Sequence, residues 1–159
     1  MKNIILNRKQ IFSISLLIIL LDQSIKYWVS FSIGFNTATI FWPGIINLHV
    51  VRNTGAAFSL FSESTFILGV ISFLVSTILI LFTWKRSQLL LWKGLGIAFL
   101  LGGSLGNGLD RWRLNYVIDF IEIVPFDFPI FNIADISINF AVVFLILDSI
   151  YRSVISNDS

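Results

Sequence analysis

The stretch GNGLDRWRLNYVIDFIEIVPFDFPIFNIAD, residues 106–135, places four aspartates between two strongly apolar segments. Asp110 stands beside Arg111, whereas Asp119 and Asp135 have no lysine or arginine within a helical turn. Charged groups near a bilayer are energetically expensive, so those that occur there are usually paired or functional. We therefore expect Asp119 and Asp135 to form a functional pair that the rest of the chain positions.

The composition of the whole chain is that of a membrane protein. Hydrophobic residues make up 56% of its 159 residues and charged residues only 13%, whereas an ordinary soluble domain has about 25% charged residues. The net charge of +2 is too small to indicate a nucleic-acid-binding surface. The length fits one domain, so we predict a single membrane domain over residues 1–159.

Several kinds of site are excluded by residues that the chain lacks. It has no cysteine, which excludes disulfides, thiol catalysis and thiolate metal sites. His49 is the single histidine, so we expect neither a histidine-based zinc site nor a serine–histidine triad. Carboxylates, amides and arginines remain, and we predict that the protein uses no metal and no other cofactor.

Apolar segments predict four transmembrane helices, at about residues 11–30, 64–84, 89–108 and 130–150. About 20 apolar residues suffice to cross a bilayer core of about 30 Å. The first helix follows a basic N-terminus, as in a signal peptide, but no small-residue cleavage site follows it, so we expect it to be retained.

A small sheet is predicted between the first two helices. Thr37–Phe41 and Ile46–Val51 are β-branched runs separated by a Trp-Pro-Gly turn. The predicted fold class is therefore all-α integral membrane. We expect a four-transmembrane-helix bundle with a small extracytoplasmic β-sheet and an interfacial flap.

The cations predict the orientation of this bundle. Most of them flank the ends of the helices that would share one side of the membrane: Lys2, Arg8, Lys9, Lys85, Arg86, Lys93 and Arg152. By the positive-inside rule, both termini are then cytoplasmic, and segments 31–63 and 109–129 face outward.

With this orientation, polar side chains from separate regions meet near the outer face. Asp135 would lie about 8 Å and Asp22 about 12 Å below it, at 1.5 Å per helical residue. Asp110 beside Arg111 is interpreted most simply as an ion pair that anchors the loop. Asp22 has an i,i+4 partner in Lys26.

Two facing aspartates would share one proton, because burial and mutual repulsion raise one pKa. A carboxylate beside a carboxylic acid can hydrolyse an amide with water. The residues alone leave two alternatives open. One is a small ion- or proton-coupled membrane transporter that uses the same aspartates. The other is an assembly protein that binds another bundle through a small-residue ridge on the third helix, formed by Gly94, Ala98, Gly102 and Gly106.

The chain resembles the lipoprotein signal peptidases, also called signal peptidase II, over nearly its whole length. The resemblance is carried by five motifs in order: LDQSIKYW from Leu21, VRNTGAAF from Val51, GNGLDRW from Gly106, VIDF from Val117 and FNIAD from Phe131. Each motif is weak alone, and together with the helix spacing they are specific.

The resemblance implies an aspartic endopeptidase of the bacterial cytoplasmic (inner) membrane, with its site near the outer face. It would cleave diacylglyceryl-modified prolipoproteins just before the lipidated cysteine. Asp119 and Asp135 match the family's catalytic aspartates. Other matching positions would bind substrate or support the site: Asp22, Asn53, Gly55, Asn107, Asp110, Arg111, Asn132 and Ala134. We expect a monomer that contacts prolipoprotein and membrane lipid but no nucleic acid.

Overall fold

The computed structural model of the chain describes residues 4–55, 64–126 and 128–157. One or two strands precede each helix along these residues. The helices are α1 (Arg8–Ser32), α2 (Thr65–Trp84), α3 (Leu91–Leu114) and α4 (Ile133–Asn157). The strands are β1 (Ile5–Asn7), β2 (Thr37–Trp42), β3 (Ile46–Asn53), β4 (Gln88–Leu90) and β5 (Val117–Ile123).

Three of the described helices are long and apolar enough to cross a membrane: Arg8–Ser32, Thr65–Trp84 and Ile133–Val154. α3 is not among them, because it is rich in glycine and carries Lys93 and Asp110 within its length. It contacts each of the other three helices, so little of its surface needs to be apolar. The predicted count of four spans therefore remains a proposal.

The predicted end of the third helix at residue 108 is wrong. α3 continues to Leu114 and ends where Asn115 adopts a left-handed conformation with φ of 64°. Asparagine tolerates this conformation better than most residues, which makes it a common helix terminator. Asp110 and Arg111 consequently lie on the last two turns of a helix and not in a loop.

The helix surfaces show the distribution expected in lipid. On α2 the buried residues are small or polar, including Gly69, Ser76 and Thr83, whereas Phe66 and Ile78 are exposed. A helix in water would have the opposite arrangement. In lipid, small residues permit close helix packing and the apolar side chains face the acyl chains.

The predicted sheet is confirmed and is larger than expected. β2 and β3 form the predicted hairpin, and β5 pairs with β3 in antiparallel fashion. β5 was not predicted, because its partner strand is far away in sequence and local patterning does not reveal the pairing. A second sheet, in which β1 pairs with β4, lies at the opposite end of the bundle. The all-α class is therefore wrong, and the protein is a mixed helix and sheet structure.

The small-residue ridge of α3 packs within the molecule. A Cβ atom added at Gly102 would lie 2.8 Å from the Ile18 side chain, and one added at Gly106 would lie 2.8 Å from Asp22 Oδ2. Ser15 Oγ donates to the carbonyl of Ala98 at 3.0 Å. Since α1 covers this ridge, it is not a free surface for another helix bundle.

Candidate active site

Asp119 is placed by strand β5. The strand is anchored because Ile118 and Phe120 pack with Val29 and Val50 in a buried apolar cluster beneath the sheet. Asp119 itself is only 2% exposed. Its two carboxylate oxygens accept hydrogen bonds from side-chain amides, Oδ2 from Asn53 at 2.8 Å and Oδ1 from Asn132 at 2.6 Å.

Asp135 is placed by the first turn of α4. Asn132 precedes this helix and forms reciprocal bonds with Asp135, the pattern of a capping box. The Asn132 backbone N–H donates to Asp135 Oδ2 at 3.2 Å, and the Asp135 N–H donates to Asn132 Oδ1 at 2.9 Å. Asn107 Nδ2 of α3 donates to the other carboxylate oxygen at 2.8 Å.

Asn132 therefore connects the two aspartates, one through its side-chain amide and the other through its backbone. Within the part of the chain that the structure describes, neither Asp119 nor Asp135 forms a salt bridge. Amides orient a carboxylate without neutralising its charge. Both carboxylates thus stay available for proton transfer.

Both aspartates line the same open cavity of about 770 Å³. Asn53, Asn107 and Arg111 also line it, so its polar groups gather around the pair. The rest of its wall is mostly apolar side chains from α2, α4 and the segment before α4, including Ile71, Val75, Ile130, Phe140 and Val143. The cavity can hold an apolar ligand whose reacting bond lies against the carboxylates.

The pKa of Asp119 is raised to about 7. Burial is the main cause, and the charge of Asp135 acts in the same direction. The hydrogen bonds from Asn53 and Asn132 oppose this shift without cancelling it. Asp119 is therefore partly protonated near neutral pH, as the acid of an acid–base pair must be.

A buried cation lies behind the site, and the set of site residues predicted from the sequence missed it. Lys26 is 1% exposed. Its Nζ lies 2.9 Å from Asp22 Oδ2, from Asp110 Oδ2 and from Asn107 Oδ1. The available signal was its i,i+4 spacing from Asp22, which predicts that pair correctly but not the other two partners.

The predicted ion pair between Asp110 and Arg111 is replaced by the Lys26–Asp110 pair. Adjacent residues on a helix project about 100° apart, so neighbours in sequence do not face each other. Asp110 Oδ2 also accepts the backbone N–H of Ile118 at 3.2 Å, which ties α3 to β5. Arg111 instead donates to the carbonyl of Gly55 at 3.3 Å and lines the cavity.

The remaining predicted residues join α1, α3 and α4 beside the pair. Asp22 Oδ1 accepts the backbone N–H of Ala134 at 2.9 Å, in the turn that carries Asp135. Ala134 is fully buried, and a Cβ added at Gly106 would lie 3.1 Å from its side chain. Gly55 donates its N–H to Asn53 Oδ1 at 2.9 Å, which holds the end of β3.

All ten residues predicted for the site thus lie in one connected region, whereas other acidic residues lie apart from it. Glu122 pairs with His49 on the sheet, and hydrogen bonds from Asn47 and His49 hold the pKa of Glu122 below its ordinary value. Asp127 and residues 56–63, which belong to the predicted outward-facing segments, lie outside the described residues. Among the described residues, no group of three or more His, Cys, Asp or Glu side chains could hold a metal ion.

Comparisons with known proteins point to one family. A family model described as signal peptidase (SPase) II matches residues 14–151. A protein of Parasynechococcus marenigrum named lipoprotein signal peptidase is 45% identical over 144 residues, 91% of each chain. A protein of the same name from Streptococcus pyogenes serotype M2 is 37% identical over 141 residues, 88% of this chain and 93% of that one.

Solved structures agree with the sequence comparisons. One, described as a bacterial membrane enzyme, superposes with a TM-score of 0.82 at 30% identity and covers 90% of this chain and 88% of that chain. A second with the same description gives a TM-score of 0.77 at 31% identity, covering 87% and 90%.

Proposed function

Because the chain belongs to the signal peptidase II family, we propose that it is an aspartic endopeptidase that removes the signal peptide from diacylglyceryl-modified prolipoproteins. The resemblance predicted from the five sequence motifs is confirmed by the family model and the relatives. Family membership also favours signal-peptide cleavage over the alternative of a small ion- or proton-coupled transporter.

One observation carries the aspartic mechanism. Two aspartates from different elements, the buried Asp119 and the partly buried Asp135, line one cavity, and each is held by amides without a salt bridge among the described residues. Asp22 and Asp110, in contrast, both pair with Lys26. The two carboxylates without a salt bridge are therefore the candidates for catalysis, and the paired ones are candidates for support.

The proposed reaction uses the two aspartates as acid and base. Asp135 accepts a proton from a water molecule, whose oxygen attacks the carbonyl carbon of the scissile peptide bond. Asp119, protonated at the start, donates a hydrogen bond to the carbonyl oxygen and then gives its proton to the leaving amine. The C–N bond breaks, and a proton passes from Asp135 to Asp119 to restore the starting state.

The polar neighbours divide into three groups in this proposal. Asn53, Asn107 and Asn132 orient the aspartates. Arg111 lines the cavity and bonds to Gly55, and this part of the site would bind a peptide backbone. Behind them, Asp22, Lys26, Asp110 and Ala134 brace the helices that carry the site. This division assigns each predicted residue a role that its contacts support.

The distribution of charge supports the proposed orientation. Arg8, Lys9, Lys85, Arg86 and Lys93 all lie near the end of the bundle that carries β1 and β4. The aspartate pair lies toward the other end, beside the three-stranded sheet. We therefore place the β1–β4 end in the cytoplasm and the site near the outer face of the bacterial inner membrane.

We also propose that the protein acts as a monomer. The candidate site is built from α1, α3, α4, β3 and β5 of one chain. The small-residue ridge that could have bound another bundle is covered by α1.

The substrate class is tested with the purified enzyme and two peptides. One carries a lipobox cysteine modified with diacylglyceryl, and its twin carries the unmodified cysteine. Each CH₂ group buried in lipid contributes about 0.8 kcal/mol, and every 1.4 kcal/mol is tenfold. We expect the lipidated peptide to be cleaved at least about tenfold faster by kcat/KM, and equal rates would contradict the proposed substrate.

The same assay tests the catalytic pair. Asp119→Asn and Asp135→Asn should each lower kcat by about 10²- to 10⁴-fold, the usual contribution of an acid or base. Both variants should remain folded in detergent, because asparagine preserves the shape of aspartate. Glu122→Gln, on the same strand as Asp119, is the matched control and should cleave normally. Full activity in either aspartate variant would rule out this mechanism.

A further inference from the structure

The end of the bundle opposite the aspartate pair carries a basic cavity that the proposed reaction does not use. It has a volume of about 510 Å³ and is lined by Asn7, Arg8, Lys9, Trp84, Lys85 and Ser87. Three of these side chains are cations and none is acidic. Lys9 and Lys85 are exposed, and neither pairs with a carboxylate in the described part of the chain.

The wall of this cavity is held in place by contacts between α1 and α2. Arg8 Nη1 donates to the carbonyl of Trp84 at 3.4 Å, and its guanidinium lies 5.3 Å from the centroid of the Trp84 ring. Asn7 and Gln10 form a capping box that begins α1 at this point. The cations are therefore presented by a folded surface and not by a free tail.

An apolar groove adjoins the basic cavity at Trp84. The groove, of about 300 Å³, is lined by residues of three helices, including Leu16 and Ile19 of α1, Ile80 and Trp84 of α2, and Leu101 and Leu105 of α3. On the membrane side, the Trp84 ring contacts Phe12, with 6.4 Å between the ring centroids. Trp84 thus separates a cationic compartment from an apolar one, as tryptophan does at membrane interfaces.

We propose that these two compartments together bind one phospholipid of the adjacent leaflet that has an anionic headgroup. The phosphate would lie among Arg8, Lys9 and Lys85, and one acyl chain would follow the groove past Trp84. Charge complementarity selects an anionic headgroup, because the described residues that line the cavity include three cations and no carboxylate. The groove selects a lipid over a soluble phosphate, because only a lipid fills both compartments.

The inference does not depend on the proposed peptidase reaction. The lipid would bind at the β1–β4 end, whereas the aspartates lie toward the opposite end of the bundle. The lipid is expected to add to the contacts of Arg8 and Phe12 with Trp84, which join α1 to α2.

The test is native mass spectrometry of the full chain released from detergent micelles. The protein is equilibrated with phosphatidylglycerol or with phosphatidylcholine of the same acyl chains. We expect one retained phosphatidylglycerol and little retained phosphatidylcholine. Inorganic phosphate added in excess should not displace the lipid, whereas displacement would show a site for the phosphate group alone and would overturn the two-compartment proposal.

Variants test each compartment. A cation near an anionic surface contributes about 1 kcal/mol, so Lys9→Gln and Lys85→Gln should each weaken retention about fivefold. Arg113→Gln, an exposed arginine at the other end of α3, is their control.

Leu16→Trp should obstruct the groove and reduce retention, while Leu17→Trp, whose side chain does not line the groove, should not.

Two results would overturn the proposal. Equal retention of the two lipids would show that the cations do not select the headgroup. Normal retention of phosphatidylglycerol in both lysine variants would place the lipid elsewhere on the protein.

Discussion

At the residue scale, the site depends on which acidic side chains have a cation. Lys26 lies within 2.9 Å of both Asp22 and Asp110, so their charges are balanced inside the protein. Asp119 and Asp135 accept only amide hydrogen bonds among the described contacts. Asp22 and Asp110 are thereby candidates for structural support, and Asp119 and Asp135 are the proposed catalytic pair.

Lys26 should be essential for folding stability. Removing one partner of a buried ion pair costs about 3–5 kcal/mol, because the other charge is left buried and unpaired. Lys26→Met should therefore lower the Tm in detergent by roughly 10 °C. Asp110→Asn should lower it less, because Asp22 remains beside the lysine. Arg113→Gln, which removes an exposed cation at the end of the same helix as Asp110, is the control. An unchanged Tm in Lys26→Met would show that Lys26 does not stabilise the packing of α1 against α3.

The raised pKa of Asp119 predicts the direction of the pH dependence. The pKa of about 7 lies above the ordinary value of 3.8, so Asp119 keeps its proton over the intervening range. The protonated fraction falls as pH rises through 7, and the rate of cleavage should fall with it. We expect kcat/KM for the lipidated peptide to decline above neutrality while binding of an uncleavable analogue stays constant. A rate that rises between pH 6 and 9 would show that Asp119 is not the acid.

At the element scale, α3 organises the bundle because its small residues allow three helices to approach it. Its Gly102 and Gly106 face α1, and Gly96 and Gly103 face α4. Asn107 follows on the same helix and bonds to both Lys26 and Asp135. Close helix packing and site geometry are consequently set by the same element.

The contact between Gly103 and α4 should be especially sensitive to substitution. A Cβ added at Gly103 would lie 2.5 Å from the backbone oxygen of Ala134, which precedes Asp135. Since backbone cannot move aside as a side chain can, Gly103→Ala should displace the first turn of α4. We expect destabilisation of about 1–3 kcal/mol together with a large loss of kcat, measured by thermal unfolding and by peptide cleavage.

Gly96→Ala is the matched control for that substitution. It lies on the same interface, but the added Cβ would meet mainly the side chain of Leu145, at 2.7 Å. This variant should lose some stability and retain its kcat. Equal kcat values in the two variants would show that the packing at Gly103 does not position Asp135.

At the scale of the whole molecule, the two ends of the bundle have different surfaces. One end combines the β1–β4 sheet with cations, and the other combines the β2-β3-β5 sheet with the cavity and the aspartates. In the proposed orientation, a lipid-linked substrate would reach that cavity by lateral diffusion in one leaflet. The proposed function is therefore consistent with a site close to the membrane surface.

The orientation can be measured because the chain has no cysteine. We expect Thr39→Cys, on exposed strand β2, to react with a membrane-impermeant maleimide applied to spheroplasts. Ser87→Cys, exposed before β4, should react only after the membrane is opened. The reverse pattern of labelling would place the aspartates on the cytoplasmic side.

Much of this architecture can be predicted from the sequence because its signals are local. Long apolar runs predict helices, β-branched runs around Trp-Pro-Gly predict the β2–β3 hairpin, and a lone aspartate in an apolar context indicates function. These patterns indicated the family, which the comparisons confirm, and they make Asp119 and Asp135 the predicted catalytic pair. The i,i+4 spacing was also sufficient to pair Asp22 with Lys26.

The remaining features depend on contacts between residues that are distant in sequence. β5 is recognisable as a strand through its pairing with β3, and Asp110 has its partner on α1 and not at the neighbouring Arg111. Asn132 holds both aspartates because a strand end and a helix start converge there. The stretch 106–135 thus predicted which carboxylates are the candidates for catalysis, since unpaired charge in lipid has a local signature. The geometry of the two aspartates could not be predicted from the sequence, because the hydrogen bonds that set it join residues on different helices and strands.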